Sequence, residues 1–111
     1  MGLNVENMNK LADYIEALPR GAYDQHELGD SIDAGCGCIC HYAGILSGNL
    51  AYNESGYALN YESASSIWMG TSMGQWGGLY FLGEWPEKFQ KERPTTKIAA
   101  ARIRHMIETG E

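Results

Sequence analysis

The sequence predicts an all-α fold, a compact single-domain bundle of four to five short helices over residues 1–111. Two stretches near the ends of the chain repeat apolar residues at helical spacing. Capping and stop signals bound further apolar segments between them. No segment shows the sustained alternation and hairpin turn of paired strands. With 44% hydrophobic and 20% charged residues, 111 residues suit one folded domain with a single core.

The first helix has the clearest pattern. Apolar residues recur at helical spacing from Met8 to Leu18, and Asn4 can cap the start by accepting a backbone hydrogen bond. Pro19 cannot continue the helix and ends it. Residues 22–35 then contain four acids, two glycines and little periodicity, which indicates an irregular acidic connection at the surface.

The middle of the chain predicts two helices and a loop. The run from Cys36 to Leu46 is apolar, rich in small residues and too long for an ordinary strand, so we expect a short buried helix ended by Gly48. Residues 50–62 carry three tyrosines around an Asn-Glu-Ser-Gly turn signal. This pattern predicts a loop leading to a helix near Ser63, with residues 67–69 buried.

Two further helices complete the bundle. Ser72 and Gln75 have the spacing of a capping box, which predicts a helix starting at Met73. The nearby glycines are then expected to mark the boundary between two short helices. The last helix is expected to start near Thr95 or Thr96 and to present an apolar side from residue 98 to residue 107. We expect the first and last helices to pack against the cysteine-bearing helix.

The charge pattern excludes some partner classes. The net charge of -6 predicts no nucleic-acid and no membrane partner. Residues 1–62 carry nine acids and two bases, whereas bases cluster between 88 and 104. The clustered cysteines and the lack of a leader pattern predict a cytoplasmic protein, and no cofactor is expected. The uncharged stretch 63–83 predicts a homo-oligomer.

The segment Cys36-Gly-Cys38-Ile-Cys40-His41 is the part of the sequence most suggestive of a functional site, because four soft metal ligands lie within six residues. On a continuous helix, Cys36 and Cys40 lie about 40° apart, while Cys38 and His41 point elsewhere, so the four could not converge on one ion. A metal site is therefore an alternative that needs ligands from outside the segment. The plainest interpretation is that the cysteines are small apolar core residues.

A cysteine-dependent hydrolase is a second alternative. The Cys36-Gly37 pair is superficially similar to the nucleophile region of papain-like enzymes, with Cys36 as the nucleophile and His41 or His105 as its base. Those enzymes deliver their histidine from a sheet. The absence of predicted strands weighs against this alternative.

A wider arrangement resembles a group of small uncharacterised proteins of bacteriophages and bacteria. It comprises the first helix ending in Leu-Pro, a Gly-Glu-Trp-Pro segment and the cysteine motif. The group's pattern is Cys-Gly-Thr-x-Ala-Cys-x-Ala-Gly. Cys36, Gly37, Ala43 and Gly44 match it, and His41 replaces its second cysteine, so the resemblance implies no required disulfide here. It implies an accessory protein of a phage or mobile element, acting in the host cytoplasm.

Binding is the function that the sequence favours. We expect an acidic protein that inhibits a host protein or sequesters a small molecule, because no complete catalytic constellation is visible. An acidic surface speeds encounter with a basic partner, and tyrosines are common interface anchors. The candidate binding residues are Tyr52, Tyr57, Tyr61, Asp24, Glu27, Asp30 and Asp33.

Overall fold

Five α-helices carry the fold in the computed structural model, which describes residues 2–27, 29, 35 and 37–111. Two short 3-10 turns connect the fourth helix to the fifth, and the described residues contain isolated bridges but no strand. The all-α prediction is confirmed. The helices are α1 (Val5–Glu16), α2 (Ile39–Ser47), α3 (Tyr61–Met69), α4 (Met73–Tyr80) and α5 (Thr96–Thr109).

The predicted capping residues begin three of the helices. The side chain of Asn4 accepts the N–H of Asn7 at 3.0 Å and caps α1. Ser72 and Gln75 form the predicted capping box at the start of α4. The side chain of Thr95 accepts the N–H of Ile98 at 3.2 Å and caps α5. The sequence therefore placed these helix starts correctly, because the caps are local interactions.

The boundaries of α2 and α3 differ from the prediction. Cys38 is extended and serves as the N-cap of α2, so the helix begins at Ile39; the predicted start, Cys36, lies outside the described residues. Helix α3 begins at Tyr61, two residues before Ser63. The expected burial of Ile67 is wrong, since its side chain is 80% exposed. It lies on the opposite side of α3 from the buried Ser65, two residues earlier.

The helices pack as two pairs, α1 with α5 and α2 with α3. The expectation that α1 and α5 both pack against α2 is confirmed for α1, whose Tyr14 ring centroid lies 5.7 Å from that of Tyr42 in α2, whereas α5 packs mainly against α1. Arg104 of α5 adds ion pairs to Asp13 at 2.9 Å and to Glu16 at 3.2 Å in α1. The opposite charges of the two chain ends thus meet within one molecule.

One core joins the two helix pairs. The radius of gyration is 12.8 Å, close to the value of about 13 Å expected for a compact chain of this length. In the described part of the chain, no helix is both long enough and apolar enough to cross a membrane. The largest fully buried aliphatic and methionine side chains are Met8, Leu11, Ile15, Ile39, Met69, Leu79, Ile103 and Met106.

A buried glutamine joins three parts of the fold. The carboxamide oxygen of Gln25 accepts the Tyr23 hydroxyl at 2.7 Å and the N–H of Ile39 at 3.3 Å. Its nitrogen donates to the carbonyl oxygens of Leu79 and Tyr80, both at 2.9 Å. A single amide thereby connects the segment before α2, the first turn of α2 and the end of α4.

Exchange of this amide for a carboxylate tests its importance. Gln25→Glu keeps the shape but removes both donors and faces two carbonyl oxygens, so we expect the free energy of unfolding to fall by about 2 kcal/mol or more. Gln90→Glu is the control, because Gln90 is exposed and bonds the Trp85 carbonyl, and it should cost less than about 1 kcal/mol. Urea denaturation measures both. Equal losses would contradict a central role for Gln25.

Gly70 permits a close backbone crossing at the end of α3. Its φ is +71°, and a Cβ there would lie 2.7 Å from the backbone nitrogen of Asn4. That backbone nitrogen donates to the Met69 carbonyl at 2.8 Å. The side-chain amide of Asn7 donates to the Trp68 carbonyl, also at 2.8 Å. The chain before α1 therefore caps the C-terminus of α3.

We expect Gly70→Ala to lower the free energy of unfolding by about 2 kcal/mol or more, since both the left-handed backbone and the crossing resist a Cβ. Gly74→Ala is the matched control, because a Cβ at this helical position meets nothing within 4 Å. It should leave stability unchanged or raise it by up to about 1 kcal/mol. Chemical denaturation that shows similar losses for both variants would refute the crossing argument.

Candidate functional site

Two cysteines meet at the start of α2. Cys38 is the N-cap and Cys40 is the second helical residue; both are buried free thiols, and their side chains hydrogen-bond. The Cys38 Sγ also lies 3.1 Å from the hydroxyl oxygen of Tyr61. The helical projection that separated Cys38 from Cys40 is wrong here, because Cys38 is extended and its thiol can turn back to its neighbour.

The surroundings of Cys38 favour a thiolate. The hydrogen bond from the Cys40 thiol is the main cause that lowers the pKa of Cys38, and the Tyr61 hydroxyl and backbone groups of Cys40 and His41 add to it against the opposing effect of burial. Burial raises the pKa of Cys40. Cys38 is therefore the thiol of the pair that ionises first, with Cys40 as a donor to its thiolate.

The nearby phenols stay protonated. Burial, and then the charge of Cys38, raise the pKa values of Tyr23 and Tyr61 far above the usual range of a phenol. The Tyr61 hydroxyl can therefore act as a hydrogen-bond donor to the thiolate at any physiological pH. When Cys38 ionises, its buried thiolate has hydrogen-bond donors around it.

The two histidines of the hydrolase alternative lie in different helices. His41 is buried in α2, where its ring meets the edge of Tyr42 at a centroid distance of 4.7 Å. His105 lies on α5 against Phe89, at a centroid distance of 5.3 Å. Their proposed nucleophile, Cys36, lies outside the described residues. The geometry of that catalytic arrangement is therefore not tested.

The imidazole of His41 depends on a neighbouring glycine. A Cβ at Gly37 would lie 2.4 Å from the imidazole ring, so a larger residue at 37 would displace the ring. Close packing against the His41 ring thus explains why the cysteine motif has a glycine at position 37.

The metal alternative has no support among the described residues. They contain no group of three or more His, Cys, Asp or Glu side chains arranged to hold an ion. Of its four suggested ligands, Cys38, Cys40 and His41 belong to the buried start of α2, and Cys36 lies outside the described residues.

The acidic connection is partly engaged within the chain. Asp24 accepts the N–H of His26 at 2.9 Å and pairs with Arg93 at 3.6 Å. Glu27 is exposed, and its backbone carbonyl accepts the N–H of Cys38 at 3.0 Å. Asp30 and Asp33 lie outside the described residues. Among the described acids of this segment, only the Glu27 carboxylate stands at the surface without an ion pair.

The three candidate tyrosines separate into two environments. Tyr52 and Tyr57 are exposed on the turn closed by the bridge between residues 52 and 58. Tyr61 is 9% exposed and packs edge-on against Trp76, so its hydroxyl serves the thiol cluster and little of its ring can meet a partner. Sequence alone did not separate them, because all three surround one turn signal.

An apolar groove between α3 and α4 was not expected from the sequence. It has a volume of about 470 Å³, and Trp76 and Tyr61 contribute its buried lining. The three most exposed large hydrophobic side chains in the described part of the chain all line it: Leu59 (69%), Ile67 (80%) and Met73 (83%). The indole N–H of Trp76 bonds the Ser65 hydroxyl at 2.8 Å and fixes this wall. We refer to these three exposed side chains and their cavity as the apolar groove.

Comparisons of the chain with models of known protein families, with curated proteins and with solved structures found no match. The geometry of the site therefore stands on its own, and the resemblance to small phage proteins remains a prediction.

The thiol cluster predicts an unusual titration. As the pH rises, the thiolate absorbance of the folded protein should appear below the usual cysteine pKa of about 8.5. Because the folded pKa of Cys38 is lowered, its thiolate adds stability that is complete above the unfolded pKa and is lost as the pH falls through the folded pKa. Ultraviolet absorbance against pH measures the ionisation.

Two variants test whether Cys38 gives the early ionisation step. Cys38→Ala should remove the early step, and Cys40→Ala should move it to higher pH, because the main donor to the thiolate is lost. Denatured wild-type protein provides the reference for unperturbed thiols. An early step that survives in Cys38→Ala would show that the charge lies elsewhere.

Proposed function

We propose that this chain is a binding protein that holds a partner protein in the apolar groove. The observation that carries the proposal is the concentration of its three most exposed large hydrophobic side chains around one cavity. Scattered exposed hydrophobic residues are ordinary on a soluble protein, whereas a contiguous exposed patch is typical of an interaction site. A rigid buried tryptophan behind the patch suits an interface.

The charge near the groove selects the chemistry of the partner. Glu62 lines the groove, and no lysine or arginine occurs between residues 21 and 87. Apolar contact then gives affinity, and the acid favours a neighbouring cation. The proposed partner is a protein segment that presents a leucine-like or aromatic side chain next to lysine or arginine.

The environment of the Cys38 thiol supports a binding function better than a catalytic one. The Cys38 thiolate is buried behind Tyr61 and is stabilised by donors, which is suited to a structural charge and not to attack on a substrate. Inhibition of a host protein is the form of binding that we propose, in keeping with the accessory role that the resemblance to phage proteins implies. Capture of a second copy of this chain is the competing occupant.

Selection from a random-peptide display library tests the groove. Enriched peptides should carry an apolar anchor beside Lys or Arg. Ile67→Ser and Met73→Ser should each weaken their binding by about tenfold or more, because these side chains supply the exposed apolar area. Glu62→Gln should weaken binding less and reduce its salt dependence.

Val5→Ser is the control, since Val5 is also an exposed apolar residue but does not line the groove. It should leave peptide binding unchanged. Selected peptides that bind all four variants equally would refute the groove as the site. Sedimentation that shows dimers lost in Ile67→Ser would assign the groove to a second copy and overturn the proposed heterologous partner.

A further inference from the structure

Arg102 on α5 is a buried arginine with few partners. Its residue is 1% exposed, and its Nη2 donates to the Gly78 carbonyl at 2.9 Å. Its Nε and Nη1 are buried and have no acceptor among the described residues, and no carboxylate in that part of the chain lies within ion-pair distance. A guanidinium has five N–H donors, so most of its hydrogen-bonding capacity is unused.

An unpaired buried cation is costly to a folded protein. Burial lowers the pKa of Arg102 to about 10, so the group still carries its charge at neutral pH. Buried polar atoms are nearly always hydrogen-bonded in native proteins, and an exception requires an explanation. An acceptor supplied from outside the chain provides one.

A second cavity supplies the space. It has a volume of about 520 Å³, lies between α4 and α5, and has Arg102 and Gly78 in its lining. Gln75 holds the two walls together, since its side chain accepts the N–H of Ser72 at 3.0 Å and donates to the Gly110 carbonyl at 3.0 Å. This volume is within the range of small-molecule pockets.

Two acids line the same cavity. Glu84 and Glu111 are exposed, and neither forms an ion pair with any described residue. A buried cation with exposed carboxylates in one cavity provides complementary charges for a molecule that carries both signs. A planar guanidinium fork matches a carboxylate in particular.

We propose that this cavity binds a small zwitterion of the amino-acid class, with its carboxylate on Arg102 and its ammonium facing Glu84 and Glu111. The cavity shares no lining residue with the apolar groove. Small-molecule binding here is therefore an activity additional to the proposed protein binding, and either can fail without the other.

Thermal unfolding with each common amino acid at about 10 mM tests the site. At least one should raise the Tm by about 4 °C or more, since a ligand that binds only the folded state stabilises it. A hit such as leucine is then compared with 4-methylpentanoate and isoamylamine, which retain only one of its two charges. Each analogue should bind about tenfold or more weakly by calorimetry, because one ionic contact is lost.

Variants of the cavity residues test which side chain binds each of the two charges of the amino acid. Arg102→Met has a similar length and no unpaired donors, so it should fold with equal or greater stability and lose the ligand-induced shift. Arg102→Lys keeps the charge without the fork and should weaken binding. Glu84→Gln should weaken binding of the amino acid but not of 4-methylpentanoate. Glu87→Gln, an exposed acid outside the cavity lining, should change neither.

Several results would overturn the proposal. These are no Tm shift with any amino acid, an equal shift in Arg102→Met, and binding of 4-methylpentanoate as tight as that of leucine. The last result would replace the zwitterion with a simple carboxylate. Peptide binding at the apolar groove, measured on Arg102→Met, reports separately on the proposed function.

Discussion

The fold depends on the buried carboxamide of Gln25. Its two donors and its accepting oxygen are all engaged, which joins the irregular segment before α2 to the first turn of α2 and to the last carbonyls of α4. Two backbone hydrogen bonds support the same region, because the Asp24 N–H donates to the Gly37 carbonyl and the Cys38 N–H donates to the Glu27 carbonyl, both at 3.0 Å. The start of α2, Tyr23 and the end of α4 thus meet at this one side chain.

A second joint lies where the N-terminal segment crosses the end of α3. Backbone and side-chain donors of Asn4 and Asn7 satisfy the terminal carbonyls of that helix, and Gly70 leaves room for the crossing. The turn that follows places α4 against α3 with Ile67 and Met73 on the same exposed side. The apolar groove is thus a consequence of how one helix ends and the next begins.

Cys38 and Arg102, two buried ionisable groups among the described residues, have different surroundings. The thiolate of Cys38 has donors from Cys40 and Tyr61, so its charge is compensated by hydrogen bonds from its own chain. Arg102 has one carbonyl acceptor and an adjoining cavity. A Cys38 thiolate is thus compensated within the fold and suits a structural role, whereas Arg102 has no counter-ion among the described residues and suits the proposed ligand.

The sequence by itself determined the helical class, the starts of the first, fourth and last helices, and the region of the cysteine helix, because caps and apolar spacing act within a few residues. The tertiary structure decided which helices pair and that Ile67 faces solvent while Tyr61 is buried. It also decided that the Cys38 thiol turns towards Cys40 and that Gln25 and Arg102 are buried. These outcomes depend on contacts between residues distant in the chain, which spacing does not encode.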